Sequence, residues 1–176
     1  LISIKNFDYY TYTHSVNVAV LSIGLGISSG LAQEKILHLG LGALLHDIGK
    51  SSIPPEILNK PEKLTPFEFE IIKSHVIEGE KILREHKTLP RDSLDAVTQH
   101  HEKLSGSGYP YSLKASDIRL YGRITAIADC YDALTTQRPY KNAFTPFQAL
   151  DTMIKQKKHY DNELLTIFIK TLGNLG

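Results

Sequence analysis

Histidine and aspartate residues recur along this chain where helical periodicity would turn them inward. The 176 residues include eight histidines and no tryptophan. His46 and Asp47 follow an apolar stretch at the end of a predicted helix, where the helix dipole disfavours a carboxylate and burial adds a desolvation cost. A bound cation would offset both effects. An isolated His-Asp pair is more often an exposed carboxylate beside a backbone-bonded histidine, so the pair alone does not define a site.

Five further residues are ambiguous when each is taken alone. His75 and His14 lie beside apolar residues at helical spacing, as buried core histidines commonly do. His100 and His101 are adjacent at a predicted helix end, just before a glycine-rich loop, and this is an uncommon pattern. Asp129 has small and apolar neighbours, so full solvation of its carboxylate is not expected.

Together these residues form a candidate ligand set of five imidazoles and two carboxylates. The set is His14, His46, Asp47, His75, His100, His101 and Asp129. Imidazole with carboxylate suits iron, manganese, zinc or nickel. A structural zinc needs four ligands, so this larger set suits two ions bridged by Asp47. Two metal ions about 3.5–4 Å apart, with a bridging hydroxide, clamp the attacking and leaving oxygens of a phosphoester.

Basic residues near this set indicate an anionic substrate. Lys50 follows the His-Asp pair, and Arg138 and Lys141 come just after the predicted helix that carries Asp129. Arginine binds phosphate oxygens as a fork and lysine binds them as a point charge. Taken alone, Lys141 is more often a solvated surface charge. Asp132 lies near the face of Asp129, either as a helper of the site or as a local cap.

The elements that carry these residues are predicted to be helices almost throughout. Apolar residues recur at helical spacing over 8–27, 33–48, 56–59, 66–86, 91–101 and 116–134, and two more helices follow Thr145-Pro146 and Asp161. Gly49 is expected to end or kink the second of these helices. Residues 104–113 contain Gly106 and Gly108 and are predicted to form a loop. We therefore expect one all-α domain of seven to nine helices.

Composition and charge exclude several classes of protein. A net charge of +1 disfavours binding to DNA or RNA polymers, which rests on a large basic surface. The single cysteine, Cys130, excludes an internal disulfide framework and fits a reducing compartment. No segment has the length of a membrane span, so we expect no membrane contact from this chain. Because the chain begins at Leu1, we expect a fragment of a longer protein with an upstream regulatory region.

Six segments of the chain together resemble the HD-GYP branch of the HD-domain metal-dependent phosphohydrolases. They are 12–19 (YTHSVNVA), 46–50 (HDIGK), 73–79 (KSHVIEG), 100–103 (HHEK), 106–110 (GSGYP) and 128–141 (ADCYDALTTQRPYK). The resemblance extends over nearly the whole chain, from about residue 8 to residue 172. A lone His-Asp pair is weak evidence, whereas this ordered set is specific. It implies a single helical HD-GYP domain over residues 1–176.

The resemblance also implies roles for individual residues. His14, His46, Asp47 and Asp129 would hold one metal, and His75, His100 and His101 would hold the other, with Asp47 bridging. Asp47 and Lys50 would be catalytic. Lys50, Arg138 and Lys141 would contact substrate phosphate, and Tyr109 in the glycine-rich loop would border the pocket. Iron or manganese is the usual metal in the family, with nickel or zinc as alternatives.

Family members hydrolyse cyclic di-GMP, a bacterial second messenger, to the linear dinucleotide pGpG or on to GMP. Some accept related cyclic dinucleotides. The resemblance therefore implies a bacterial cytoplasmic phosphodiesterase of this kind, and it leaves open a homodimer or an upstream sensor or receiver domain.

Two positions depart from the family pattern. The family usually has Asp where this chain has Ser105, and the replacement removes a charge that would order the loop. Members with three metals carry Glu where this chain has Tyr10, so we expect two metals and a reaction that stops at the linear dinucleotide.

Two other functions compete with the phosphodiesterase. A non-catalytic signalling module would bind a cyclic dinucleotide or a partner protein without hydrolysis, and Ser105 alone favours it. A general HD phosphohydrolase would act on mononucleotides, and the glycine-rich loop and residues 138–141 argue against it.

Overall fold

All the regular secondary-structure elements are helices in the residues that the computed structural model describes, 9–85, 89–137 and 142–173. The α-helices in these ranges are α1 (Tyr9–Ser28), α2 (Gln33–Leu44), α3 (Pro55–Leu58), α4 (Pro66–Lys73), α5 (His75–Arg84), α6 (Ser93–Gln99), α7 (Leu120–Thr135), α8 (Pro146–Lys155) and α9 (Asn162–Gly173). Two 3₁₀ helices cover Ile48–Ser52 and Lys157–His159. The predicted all-α class is confirmed. None of these helices has the length and apolar character that a membrane span requires.

The start of α4 is fixed by its own first residues, as its sequence predicts. The Thr65 side chain accepts from the Glu68 backbone N–H, and the Glu68 side chain accepts from the Thr65 backbone N–H. Lys60 adds an ion pair, with its Nζ 2.7 Å from Glu68 Oε1. The Lys60 and Thr65 hydrogen bonds lower the pKa of Glu68 to about 2. Pro66 occupies the first turn, where its missing N–H is not needed.

The predicted helix over 33–48 is wrong at its C-terminal end. α2 stops at Leu44, and a 3₁₀ helix, Ile48–Ser52, follows. This segment packs tightly against α5, since a Cβ placed on Gly49 would overlap the backbone of His75 and Gly79. The His-Asp pair therefore lies in a turn between two helices rather than inside one.

The predicted single helix over 66–86 is also wrong. The structure divides it at Ser74 into α4 and α5. The Ser74 hydroxyl donates to the Ile71 carbonyl at 2.7 Å, an interaction that competes with regular helical bonding. α5 ends at Arg84, and His86 lies outside the described residues. The helix predicted from residue 116 begins only at Leu120.

The hydrophobic core surrounds α7. Its buried residues Ile124 and Ile127 belong to a cluster that includes Leu25 of α1, Met153 of α8 and Phe168 of α9. α7 also packs against α1 and α6. The predicted histidine and aspartate ligands lie where α1 and α7 meet the ends of α2 and α6 and the start of α5. Most of these side chains are therefore held by segments that the core fixes in place.

Candidate metal centre

The structure brings the seven sequence-predicted ligand residues together in two adjoining clusters. One cluster contains Asp47, His75, His100 and His101, and the other contains His14, His46 and Asp129. Within each cluster the ligand atoms lie within 4.8 Å of one another. All seven side chains are buried except His101 and Asp129, which are partly exposed. The convergence of these residues, which the sequence could only suggest, is therefore an observed feature of the fold.

Asp47 lies at the junction of the two clusters. Its Oδ1 atom is 3.3 Å from His75 Nε2 and 4.0 Å from His100 Nε2. Its Oδ2 atom is 3.3 Å from His46 Nε2 and 3.8 Å from His14 Nε2. The two oxygens thus face different histidine groups, which is the arrangement required of a carboxylate that bridges two cations.

Three of the histidines share one orienting contact. Each places its Nδ1 atom against the backbone carbonyl three residues earlier, at 2.7 Å for His46 to Ala43, 2.7 Å for His75 to Ile72 and 2.9 Å for His100 to Val97. These histidines lie at or just beyond helix ends, where carbonyls lack helical partners. A carbonyl only accepts hydrogen bonds, so the proton of each ring lies on Nδ1. The lone pair of each Nε2 is then directed at the site.

This arrangement fits a divalent cation. His75 Nε2 and His100 Nε2 are 3.4 Å apart, and neither carries a proton that could join them. Asp47 Oδ1 is buried beside them and has no hydrogen-bond partner among the described residues. Burial lowers the pKa of both histidines, so both rings are neutral and able to act as ligands at neutral pH. Three electron-pair donors without a shared proton indicate a metal site.

His14 is oriented by a carboxylate instead of a carbonyl. Its Nδ1 atom is 2.6 Å from Asp132 Oδ2, and its Nε2 atom is 3.1 Å from Asp129 Oδ1. Asn17 donates to the other oxygen of Asp132 at 2.9 Å. Burial disfavours a charged His14, but the hydrogen bonds to Asp129 and Asp132 outweigh it and raise the pKa of His14 to about 9. Asp132 is therefore a helper of the site, which was one of its two predicted roles.

Lys50 lies directly beside the central carboxylate. Its Nζ atom is 2.5 Å from Asp47 Oδ2. Burial raises the pKa of Asp47, but the Lys50 ammonium and His46 outweigh that effect and hold it well below its usual value. Asp47 is consequently ionised at neutral pH, as a metal ligand must be. Lys50 places a positive charge where the sequence predicted one, at the edge of the clusters.

Tyr109 borders the site from the glycine-rich loop. Its ring lies 4.6 Å from the His101 ring, with an angle of 31° between the two planes. The Tyr109 backbone N–H donates to the His101 carbonyl at 3.2 Å. Gly108 is needed for this close approach, because a Cβ there would overlap the backbone of residues 101–103. Burial raises the pKa of Tyr109, so its hydroxyl stays protonated and can donate.

Glu102 shapes the same loop, a role that was not predicted from the sequence. Its side chain is buried, with a relative exposure of 3%. One carboxylate oxygen accepts from the Tyr111 backbone N–H at 2.7 Å, and the other accepts from Leu113 at 2.9 Å. The available signal was a carboxylate directly after the His-His pair and before a glycine-rich segment. A carboxylate at that position could equally lie beside a metal, so the pattern did not predict that Glu102 binds the backbone of the loop.

Ser105 anchors the base of the loop. Its Oγ atom is 2.9 Å from Ser107 Oγ and 2.8 Å from His159 Nδ1. The Leu104 backbone N–H also donates to the His159 carbonyl at 3.0 Å. The segment is therefore held by hydrogen bonds in place of the charge that an aspartate would provide.

Three predicted positions lie outside the described side chains. Arg138 and Lys141 lie outside the described residues. Tyr10 belongs to α1, but its side chain is not among those described.

The chain is similar in sequence to known HD-domain proteins. The HD domain family profile matches residues 1–164. A cyclic di-GMP phosphodiesterase of Pseudomonas aeruginosa is 38% identical over 173 residues, which are 98% of this chain and 42% of the relative. A cyclic di-GMP phosphodiesterase of Thermotoga maritima is 38% identical over 93% of this chain and 45% of its own length. The chain thus spans less than half the length of both relatives.

Solved structures show the same fold. An HDGYP-type protein from Bdellovibrio bacteriovorus matches with a TM-score of 0.77 and 24% identity, over 97% of this chain and 56% of that one. The HD domain of the Listeria monocytogenes phosphodiesterase PgpH, solved in complex with cyclic-di-AMP, matches with a TM-score of 0.69 and 25% identity, over 92% of this chain and 87% of that one. From its family match and its HD-GYP motifs, the chain belongs to the HD domain family, in its HD-GYP branch.

Proposed function

We propose that residues 1–176 form the catalytic domain of a cyclic di-GMP phosphodiesterase. The observation that carries the proposal is the position of Asp47, whose two oxygens face two separate groups of histidine Nε2 atoms. Two divalent cations, iron or manganese, would occupy the two clusters. Relatives named as cyclic di-GMP phosphodiesterases, and another named as a 3'3'-cGAMP-specific phosphodiesterase, support a cyclic dinucleotide as substrate.

Metal ions bound there would activate water and offset the charge that develops on the phosphate. Asp47, the histidines and Asp129 would hold these cations, and the backbone contacts of Nδ1 in His46, His75 and His100 direct their Nε2 atoms at the site. Lys50 adds a positive charge at the edge of the clusters, and Tyr109 supplies a protonated hydroxyl beside them. Arg138 and Lys141 remain proposed phosphate contacts. With Tyr10 in place of a third-metal glutamate, we expect pGpG as the main product.

Replacing the bridging carboxylate tests this proposal. Asp47→Ala should abolish metal binding and turnover together, because both clusters lose their shared ligand. Metal content is measured by elemental analysis after loading with Mn²⁺ or Fe²⁺ without oxygen, and products of cyclic di-GMP are separated by chromatography. Asp151→Ala is the matched control, since Asp151 forms an exposed ion pair with Lys155 on α8. Full activity of Asp47→Ala would refute the proposal.

The same assays separate the competing functions. A non-catalytic module would bind two metals and cyclic di-GMP but release no product. The structure gives that reading no added support, because Ser105 keeps the loop anchored through Ser107 and His159. A general phosphohydrolase would prefer mononucleotides in competition with cyclic di-GMP. Location in the bacterial cytoplasm, assembly into a homodimer and the presence of an upstream sensor or receiver domain remain predictions.

A further inference from the structure

α4 presents an aromatic ring and a cation side by side next to the metal centre. Phe69 and Lys73 are four residues apart, so they share one face of the helix. Lys73 Nζ lies 5.5 Å from the centroid of the Phe69 ring and 5.6 Å from that of Tyr109. Phe69 is 46% exposed despite being large and apolar. This helix face therefore offers exposed aromatic surface with an ammonium over one side of the Phe69 ring.

These groups connect directly to the proposed metal ligands. The Tyr109 ring packs on His101 at 4.6 Å, and the Phe69 ring lies 6.4 Å beyond it in an edge-to-face arrangement. Tyr109 thus links the Phe69 ring to His101 of the metal centre. A nucleotide whose phosphate is held at the centre would extend its sugar and base away from it, and Phe69 offers exposed aromatic surface next to the centre.

We propose that Phe69 and Lys73 form the subsite for one base of the cyclic dinucleotide. Phe69 stacks on the base, and Lys73 donates to the base edge while remaining paired with Glu70, whose Oε1 is 2.6 Å away. The inference rests on the proposed function, because it assigns the base of that substrate. Stacking on an aromatic ring accounts for much of the binding of unpaired bases by proteins.

The Lys73 ammonium in this subsite selects between the two purine bases. Guanine presents two acceptors, O6 and N7, on the edge that lysine commonly contacts. Adenine places an amino donor at the corresponding position, facing the ammonium of Lys73. The subsite therefore favours guanine over adenine.

Fluorescence tests the stacking directly, because the chain contains no tryptophan. Phe69→Trp provides a single indole in the proposed subsite. Phe67→Trp is the matched control. Phe67 is 75% exposed on the same helix, but it lies about 200° away from Phe69 around the helix axis. In stopped-flow mixing of Mn²⁺-loaded protein with cyclic di-GMP, we expect saturable quenching for Phe69→Trp and none for Phe67→Trp. Equal responses of the two variants would overturn the subsite.

Kinetics separate failure of the subsite from failure of the proposed function. Phe69→Ala should raise KM for cyclic di-GMP by about 5- to 160-fold, the usual effect of losing one stacked base. The ratio of kcat/KM for cyclic di-GMP to that for methyl p-nitrophenyl phosphate, a diester without a nucleobase, should therefore fall. An unchanged KM for cyclic di-GMP with normal diester activity would refute the base subsite alone. If the wild-type protein cleaves neither compound, the proposed function fails, and the fluorescence experiment still decides whether the base binds.

Lys73→Met tests the selection of guanine. We expect the ratio of kcat/KM for cyclic di-GMP to that for cyclic di-AMP to fall toward one. Lys81→Met is the control, because Lys81 forms an exposed pair with Glu78 on α5. An unchanged ratio in Lys73→Met would refute the role of Lys73 at the base edge.

Discussion

Replacing Glu102 by Gln should release the glycine-rich loop while leaving the proposed metal ligands in place. The Glu102 carboxylate accepts one backbone N–H on each oxygen, from Tyr111 and Leu113, and it is buried. Each such bond to a charged acceptor contributes about 1.5–3 kcal/mol. Gln keeps one acceptor oxygen, but its NH₂ group faces the second backbone N–H. One bond is then lost and the other becomes neutral, so the free energy of local opening should fall by about 2–4 kcal/mol.

Amide hydrogen exchange measures this loss at the two residues concerned. A change of about 2–4 kcal/mol corresponds to a fall of about 30- to 800-fold in the protection of Tyr111 and Leu113. Tyr109 would lose its fixed position on His101, so KM for cyclic di-GMP should rise. The Mn²⁺ content should stay the same, because no ligand atom is removed.

Glu78→Gln is the matched control for this experiment. Glu78 pairs with Lys81 on α5, and its replacement should leave exchange in the loop unchanged. If the backbone amides of Tyr111 and Leu113 exchange as slowly in Glu102→Gln as in the wild-type protein, the two hydrogen bonds do not hold the loop. The reasoning from the buried carboxylate would then be refuted.

Three other contacts also have measurable consequences. Asp132→Ala removes the partner that orients His14 and should weaken metal binding by about 10- to 100-fold, as measured by competition with a chelator; unchanged affinity would contradict this role. Gly49→Ala should lower Tm through backbone overlap, whereas Gly24→Ala, which meets no atom within 4 Å in α1, should leave Tm the same or higher. The pKa of Glu68 is lowered to about 2 on folding, so its stabilising effect is complete above its unfolded value of about 4.5 and is lost as pH falls toward 2. The difference in Tm between wild type and Glu68→Gln should accordingly shrink over that range, and a constant difference would contradict the assignment.

The sequence determined the helical class, the types of ligand and most helix positions. Helical periodicity and local caps such as Thr65 act within a few residues, so they can be recognised without the fold. The number and chemistry of the histidines and aspartates likewise indicated a site for two hard or borderline cations before any geometry was known. The break at Ser74 was missed, because a serine within an otherwise helical pattern is compatible with either outcome.

Only the tertiary structure decided which residues orient the site. Asp132 lies beside His14 across 118 positions of sequence, and Glu102 meets the loop through backbone N–H groups that no side-chain pattern reveals. The division of Asp47 between two groups of histidines likewise depends on α2 packing against α6 and on the 3₁₀ helix Ile48–Ser52 packing against α5. Helix packing sets these distances. Composition and periodicity specify which face of a helix is buried, but they do not specify which atoms that face meets.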